Sequence, residues 1–273
     1  MSEEANLDAY LRRINYSGSI APTLETLQML HRQHPAAIAF ENLDPLMERP
    51  VRLQLSDIEQ KLLNERRGGY CFEHNLLFKA VLEAMDYAVT PLAAGVLWGR
   101  SPDEAGEATL NHMAMTVEVG GTAYLADVGF GGQVMAGPLR LRADIEQTVG
   151  GETYRLTGGH PKWRLETRIG GDWRPMYEFT LAPQTLDDYV AMNDGTMVMF
   201  RDILMAARTD GEMRYGLFNG RLKTHRNGET TTRMLATVGE IRDVLASIFL
   251  IALPDSDRLD PAIEKVLRHE AAA

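Results

Sequence analysis

The chain has 273 residues, 45% hydrophobic and 24% charged, with 24 Gly, 12 Pro and one Cys. That composition excludes collagen-like, low-complexity and disordered chains, and a lone cysteine excludes an internal disulfide. A net charge of −10 argues against a duplex-binding face, so no nucleic-acid partner is expected.

The first ten residues, MSEEANLDAY, lack the basic and apolar regions of a signal peptide. The longest apolar stretch, Val244 to Leu253, is ten residues, whereas a spanning helix needs about 20. A cytoplasmic protein without membrane contact is the expectation.

Up to about residue 86 the pattern is helical. Leu24, Leu27, Met29 and Leu30 recur at helical spacing behind Pro22-Thr23. A second helix is expected from Ser56, as N-cap with Glu59 three residues on, to Asn64. A third continues to Met85 after the break at Arg67-Gly68-Gly69. From about 88 to 182, short apolar or alternating runs separated by Gly-Gly pairs predict a sheet or small barrel. Beyond Leu186 the expected elements are a helix near 198–208, a hairpin over 213–226 and a helix over 238–251. The order predicts an α+β fold with three regions rather than a doubly wound sheet.

One hairpin gives geometry. Two strands flank Gly120-Gly121, and a two-residue turn puts Val119 opposite Thr122, so the numbers of directly opposed residues sum to 241. His112 and Asp127 then share a face as diagonal neighbours, roughly 7–8 Å apart at the backbone. The other face carries Met113, Met115, Val117, Tyr124, Ala126 and Val128, which is expected to face the core. A histidine beside a carboxylate is either a satisfied polar pair or two-thirds of a nucleophilic site. Cys71 favours the second reading, because it opens a helix where backbone N–H groups and the dipole stabilise a thiolate. An adjacent imidazole would complete an ion pair, and the aspartate would fix its tautomer.

Five segments carry a family resemblance. They are Arg67-Gly68-Gly69-Tyr70-Cys71-Phe72-Glu73, Asn111-His112-Met113, Leu125-Ala126-Asp127-Val128-Gly129-Phe130-Gly131, Ala39-Phe40-Glu41-Asn42-Leu43 and Leu217-Phe218-Asn219-Gly220. In this order they resemble the arylamine N-acetyltransferases. The resemblance implies a helical N-terminal domain carrying the nucleophile (1–86), a β-barrel carrying His and Asp (87–185), and an interdomain segment with an α/β lid (186–273). It implies a cysteine-protease-like triad of Cys71, His112 and Asp127. It also implies acetyl transfer from acetyl-CoA through an acetyl-cysteine to an arylamine, hydrazine or arylhydroxylamine. Phe40, Val96 and Phe130 resemble substrate-pocket positions, and Gly129, Phe200 and His225 resemble CoA-contacting ones. Glu41 and Arg67 resemble a buried structural pair.

The segment 201–233 carries seven Lys/Arg against four Asp/Glu, a local reversal that suits a phosphate-facing surface. After Asn193, the stretch Asp194 to Phe200 departs from the Ser-Thr-His-Pro run found in many members. That departure leaves an amide synthase of the same fold as an alternative, alongside a cysteine hydrolase or a binding module without chemistry. No metal is expected, since His31 and His34 read as a polar helix face and no ligand spacing is present. Neither the acceptor nor the oligomeric state is defined by the sequence, and a homo-oligomer stays open.

Overall fold

The computed structural model describes residues 4–100, 108–226 and 228–272. The N-terminal part is helical, with α1 (Leu7–Arg13), α2 (Leu24–Ala37), strand β1 (Phe40–Glu41), α3 (Leu43–Leu46), α4 (Leu55–Glu59) with a π-helical extension (Gln60–Asn64), and α5 (Cys71–Ala84). The central part is β2 (Ala88–Val96), β3 (Leu110–Val119), β4 (Thr122–Ala126), a 3-10 turn (Gly131–Gln133), β5 (Leu139–Arg140), β6 (Glu146–Val149), β7 (Glu152–Gly158), β8 (Lys162–Ile169) and β9 (Asp172–Pro183). Then follow α6 (Leu186–Met199), β10 (Met205–Thr209), β11 (Met213–Phe218), β12 (Arg221–Arg226), β13 (Glu229–Met234), α7 (Val238–Ser247) and α8 (Leu259–Ala272). The fold is α+β, as the sequence predicts. No helix among the described residues is long and apolar enough to cross a membrane.

Helix α2 starts where expected, with the Thr23 hydroxyl accepting the Thr26 N–H at 3.2 Å. Two other expectations are corrected. Helix α4 begins at Leu55 with Gln54 at the cap position, so Ser56 lies inside the first turn. Glu59 does not fold back onto a cap there; its carboxylate instead accepts the Asn6 N–H at 2.6 Å and ties α4 to α1. The helix expected near 198–208 ends at Met199, and 205–209 is a strand. Its start was set earlier by a capping box in which Thr185 and Asp188 satisfy each other's backbone. The apolar run after it is extended because it pairs with β1 and β11.

The central strands form an eight-stranded sheet in the order β5-β4-β3-β2-β9-β8-β7-β6. Its two edges meet through a side chain. Gln147 on β6 donates to the carbonyl of Arg140 on β5 at 2.9 Å and accepts the Arg140 N–H at 2.8 Å. A carboxamide thus completes a nearly closed barrel where the backbone ladder stops. The inside is filled by Leu92, Ala114, Leu125, Tyr154, Leu165, Tyr177 and Phe179.

The β3–β4 hairpin has the predicted register, from Val119 opposite Thr122 to Met115 opposite Ala126. Both of its faces are buried. Met113, Met115, Val117, Ala126 and Val128 pack against Phe72, Leu77, Phe78 and Val81 of α5, while Ala114 and Leu125 face the barrel interior. Tyr124, expected to face the core, is only half-buried, midway along the ladder opposite Val117. The second sheet, β1-β10-β11-β12-β13, takes its first strand from the N-terminal region, with Phe40 opposite Ala207. Helices α7 and α8 cover it through Ile241, Leu245, Leu259, Ile263 and Val266.

If Gln147 closes the barrel, Gln147→Leu removes two hydrogen bonds to Arg140 at little cost in volume. We expect a loss of about 1–2 kcal/mol in urea unfolding and faster hydrogen exchange of the Arg140 amide.

Candidate active site

Cys71 is the first residue of α5, and Tyr70 before it is extended. The Glu73 carboxylate turns back to accept the Tyr70 N–H at 3.0 Å, fixing the entry of the chain into the helix. The preceding turn is tight: a Cβ on Gly68 would lie 2.1 Å from the Ala39 carbonyl oxygen, so the position admits only glycine. On the hairpin, His112 Nε2 donates to Asp127 Oδ2 at 2.7 Å, which leaves Nδ1 for the Cys71 sulphur. The diagonal relation predicted for His112 and Asp127 is therefore a direct contact. All three side chains are buried, with Cys71 only 5% exposed.

A bulge brings the histidine to the cysteine. The β2–β3 ladder pairs Ala94 with His112 but Gly95 with Leu110, so Asn111 is the extra residue. Its carbonyl faces Cys71 Sγ at 3.8 Å and its side-chain oxygen accepts the Val96 N–H at 3.1 Å. Behind the pair, Asn75 donates to Asp127 Oδ1 at 2.9 Å and to the Met113 carbonyl at 2.7 Å, and accepts the Val128 N–H at 3.1 Å. The Gly129 N–H donates to the same Oδ1 at 2.9 Å. Sequence reasoning missed Asn75; its signal was an amide in an apolar helix, four residues after Cys71 and so on the same face.

Burial opposes a charged imidazole, but the Asp127 carboxylate and the Cys71 sulphur outweigh it and raise His112 to about 10. Burial likewise opposes the Asp127 carboxylate, while His112, Asn75 and the Gly129 N–H hold its carboxyl below the usual range. The arrangement can hold a thiolate beside an imidazolium and pass one proton between sulphur, nitrogen and a substrate.

Cys71 and His112 open into a cavity of about 580 Å³. Phe40, Val96, Phe130, Gly129 and Phe200 line it, together with Trp98, Thr109, Gln133, Ile203 and Met205, which the sequence did not single out. Phe130 meets the His112 ring edge-on at 5.2 Å, and Phe40 meets Phe200 at 6.2 Å.

Residues 23–258 match a protein family described as N-acetyltransferase. An arylamine N-acetyltransferase of Mycolicibacterium smegmatis is 37% identical over 92% of this chain and 93% of its own. The solved structure of the Mycobacterium marinum arylamine N-acetyltransferase in complex with CoA superposes with a TM-score of 0.92 at 36% identity, covering 96% of this chain and 99% of that one. An Escherichia coli arylamine N-acetyltransferase is 39% identical over 68% of this chain and 66% of its own. The chain belongs to the arylamine N-acetyltransferase family.

Its family-like positions divide in space. Glu41 and Arg67 pair at 2.8 Å, but within a larger buried chain of charges. Arg67 also holds Asp44 at 2.7 Å, and Lys61 bridges Asp44 at 2.6 Å and Glu73 at 2.8 Å. Burial works against these charges, yet Lys61 and Arg67 hold Asp44 below the usual carboxylate range, and the three carboxylates raise Lys61. Phe200 caps α6 inside the cavity. His225 does not reach it: on β12 it bonds Thr230 at 2.8 Å and lines a separate groove of about 870 Å³ with Arg32, Glu152, Arg214 and Arg226. Gly129 is held by packing as much as by the cavity, since a Cβ there would lie 2.9 Å from the Cys71 Cα.

The basic segment is also less open than its charge suggests. Arg208 donates to the carbonyls of Ile248 and Ala36, Arg214 pairs with Glu152, and Arg226 pairs with Glu212. His31 and His34, read as a polar face, are fully buried: both nitrogens of His34 are hydrogen-bonded inside the core, and His31 Nε2 accepts the Asp127 N–H at 3.1 Å. No cluster of three or more metal-binding side chains occurs among the described residues.

Arg67→Met would leave Glu41 buried without its cation. We expect a loss of roughly 3–5 kcal/mol, read as a lower urea midpoint, with Glu41→Gln/Arg67→Met recovering part of it.

Proposed function

We propose that this protein is an acyltransferase that moves an acetyl group from acetyl-CoA through Cys71 to the nitrogen of an arylamine or hydrazine. The observation that carries the reading is the convergence of Cys71 with the His112–Asp127 pair in one aromatic-walled cavity. The Cys71 thiolate attacks the thioester carbonyl, and the new C–S bond forms as the carbonyl oxygen takes the charge. The carbon–sulphur bond to CoA then breaks, and His112 gives its proton to the leaving thiolate. In the second half the amine attacks the acetyl-cysteine, His112 takes the amine proton, and the Cys71 thiolate departs. One thioester replaces another in the first half, so the acetyl group stays activated. The N–H of Cys71, in the first turn of α5, is one donor to the oxyanion. Asp127 holds the imidazole in the required tautomer throughout.

Phe40, Val96 and Phe130 suit an aromatic acceptor, as apolar walls with few polar groups do. We assign Gly129 and Phe200 to the thioester end of CoA. We assign His225 and its groove to the phosphates. The strip 131–137 supports this division, since Gly131 and Gly132 line the cavity while Ala136 and Gly137 line the groove. A CoA-bound relative at 36% identity supports the donor. No observation favours the amide-synthase alternative.

Intact-protein mass spectrometry after mixing with acetyl-CoA, without amine, tests the reading. One acetyl group on the wild type and none on Cys71→Ala is expected. Steady release of CoA without an acceptor would indicate a hydrolase, and no adduct with acetyl-CoA unconsumed would refute the transfer. The ion pair itself has a pH signature. Alkylation of Cys71 by iodoacetamide should be nearly level between about pH 6 and 9, without the rise near 8.5 that a free thiol shows. Asp127→Asn should slow it about tenfold at pH 6 and restore that rise.

A further inference from the structure

Three buried histidines lie behind the site and are not used by the mechanism above. The orientation of their protons follows from their partners. His74 Nε2 faces two carbonyls, Gly69 O at 3.0 Å and Ala39 O at 3.2 Å, so it carries a proton. His74 Nδ1 is then an acceptor, and His34 Nε2 donates to it at 2.8 Å. His34 Nδ1 in turn accepts from the Tyr10 hydroxyl at 2.9 Å. The chain from Tyr10 to Gly69 has one direction and three neutral or hydroxyl donors, and it ends on the loop that presents Cys71. His31, one turn before His34 on α2, reaches the other side of the site. Its Nε2 accepts the backbone N–H of Asp127 at 3.1 Å.

His31 is costly for a residue that only fills space. With Nε2 accepting, Nδ1 carries the proton, yet Nδ1 is buried without a hydrogen-bond partner outside its own residue. A buried unpaired donor lowers stability, and an apolar side chain of similar size would avoid it. What that side chain could not do is accept the Asp127 N–H. The ring is held for this: Phe78 of α5 meets His31 edge-on at 5.8 Å and His34 at 5.6 Å. The titratable groups facing His31 are Asp127 beyond β4 and His34 on its own helix. Burial lowers His31 to about 4, although Asp127 opposes the shift, so the acceptor persists through neutral pH.

We infer that His31 is a positioning residue of the acyl-transfer site, a neutral imidazole that fixes the backbone of Asp127 beneath His112, while His34 fixes the Cys71 loop through His74. The inference rests on the reading of Cys71, His112 and Asp127 as the reacting triad. It assigns α2 the task of setting the distance between the two halves of the triad from behind. Loss of the acceptor should therefore weaken the ion pair at Cys71, and not stability alone.

The test compares His31→Phe and His31→Gln with wild type, following Cys71 alkylation by iodoacetamide from pH 5 to 9 alongside thermal unfolding. Gln offers an oxygen to the Asp127 N–H and should stay within about twofold of wild type at each pH, whereas Phe should slow alkylation at pH 6 about tenfold and move the acid limb upward. A Phe variant with the wild-type profile overturns the inference, whatever its melting temperature, and so does Gln behaving as Phe does. Should the Phe variant fail to fold, long-range proton–nitrogen NMR of histidine-labelled wild type decides. A neutral His31 with its proton on Nδ1 at pH 7 supports the inference, and a cation or an Nε2–H tautomer overturns it. A wild type alkylated like a free thiol would instead overturn the triad reading beneath it.

Discussion

Everything at the site depends on one carboxamide. Asn75 lies one turn into the helix that begins at Cys71, and it bonds the Met113 carbonyl, the Asp127 carboxylate and the Val128 N–H. These partners sit at the ends of β3 and β4, where the ladder has run out at Met115 opposite Ala126. Without Asn75 the two strand ends would have unpaired polar groups facing an apolar helix, which a buried interface does not tolerate. With it, the helix bearing the sulphur and the hairpin bearing the imidazole cannot slide past each other. The Asn111 bulge then makes the last adjustment, turning a carbonyl toward the sulphur.

The buried charges answer a different need. The loop from Arg67 to Tyr70 must stay closed over a helix N-terminus while its interior face is packed. Glu41, Asp44 and Glu73 alternate with Arg67 and Lys61, so each cation bridges two carboxylates. Five charges in one chain hold α3, the π-helical turn and α5 in fixed relation. Such a chain adds little net stability over apolar packing, but it tolerates no missing member. Its use here is geometric: it sets the angle at which Tyr70 hands the chain to Cys71.

The hairpin was legible in the sequence because a two-residue turn and a period of two leave one register open, and a slip of one residue would have turned one strand's apolar set away from α5. The cysteine helix was legible because the glycines before it cannot continue a helix. Asn75 was not, since an amide shows its purpose only when the opposing strand ends are known. His31 and His34 were misread for a related reason: an imidazole counts as polar in a periodicity yet is buried once the core offers it partners, at both nitrogens of His34 and at Nε2 of His31. The start of α6 was hidden because Asp188 stands in the capping box where Glu or Gln is usual. Helix α8 was overlooked although Leu259, Ile263 and Val266 repeat at helical spacing. The reach of His225 was the least legible, because the groove it lines is built from strands far apart in sequence.

The titrations of the groups at and behind the site act in opposite directions. His112 is raised in the folded state to about 10, so its contribution is complete below its ordinary value and is lost as pH rises through that figure. Asp127 is lowered, so its contribution is present above the usual carboxylate range and is lost only as pH falls through its depressed value. His31 and His74 are lowered to about 4 by burial. The unfolded chain takes up protons at these positions from about pH 6.5 downward while the folded chain does not, so each withdraws stability well before Asp127 begins to protonate. Among these groups, the histidines behind the site therefore withdraw stability first in acid, while the histidine within it loses its contribution as pH rises toward about 10. Between about pH 4 and 10 His112 keeps its proton while His31 stays neutral. The same burial that keeps His31 neutral, and so able to accept the Asp127 N–H, is what makes His31 withdraw stability in acid before Asp127 protonates.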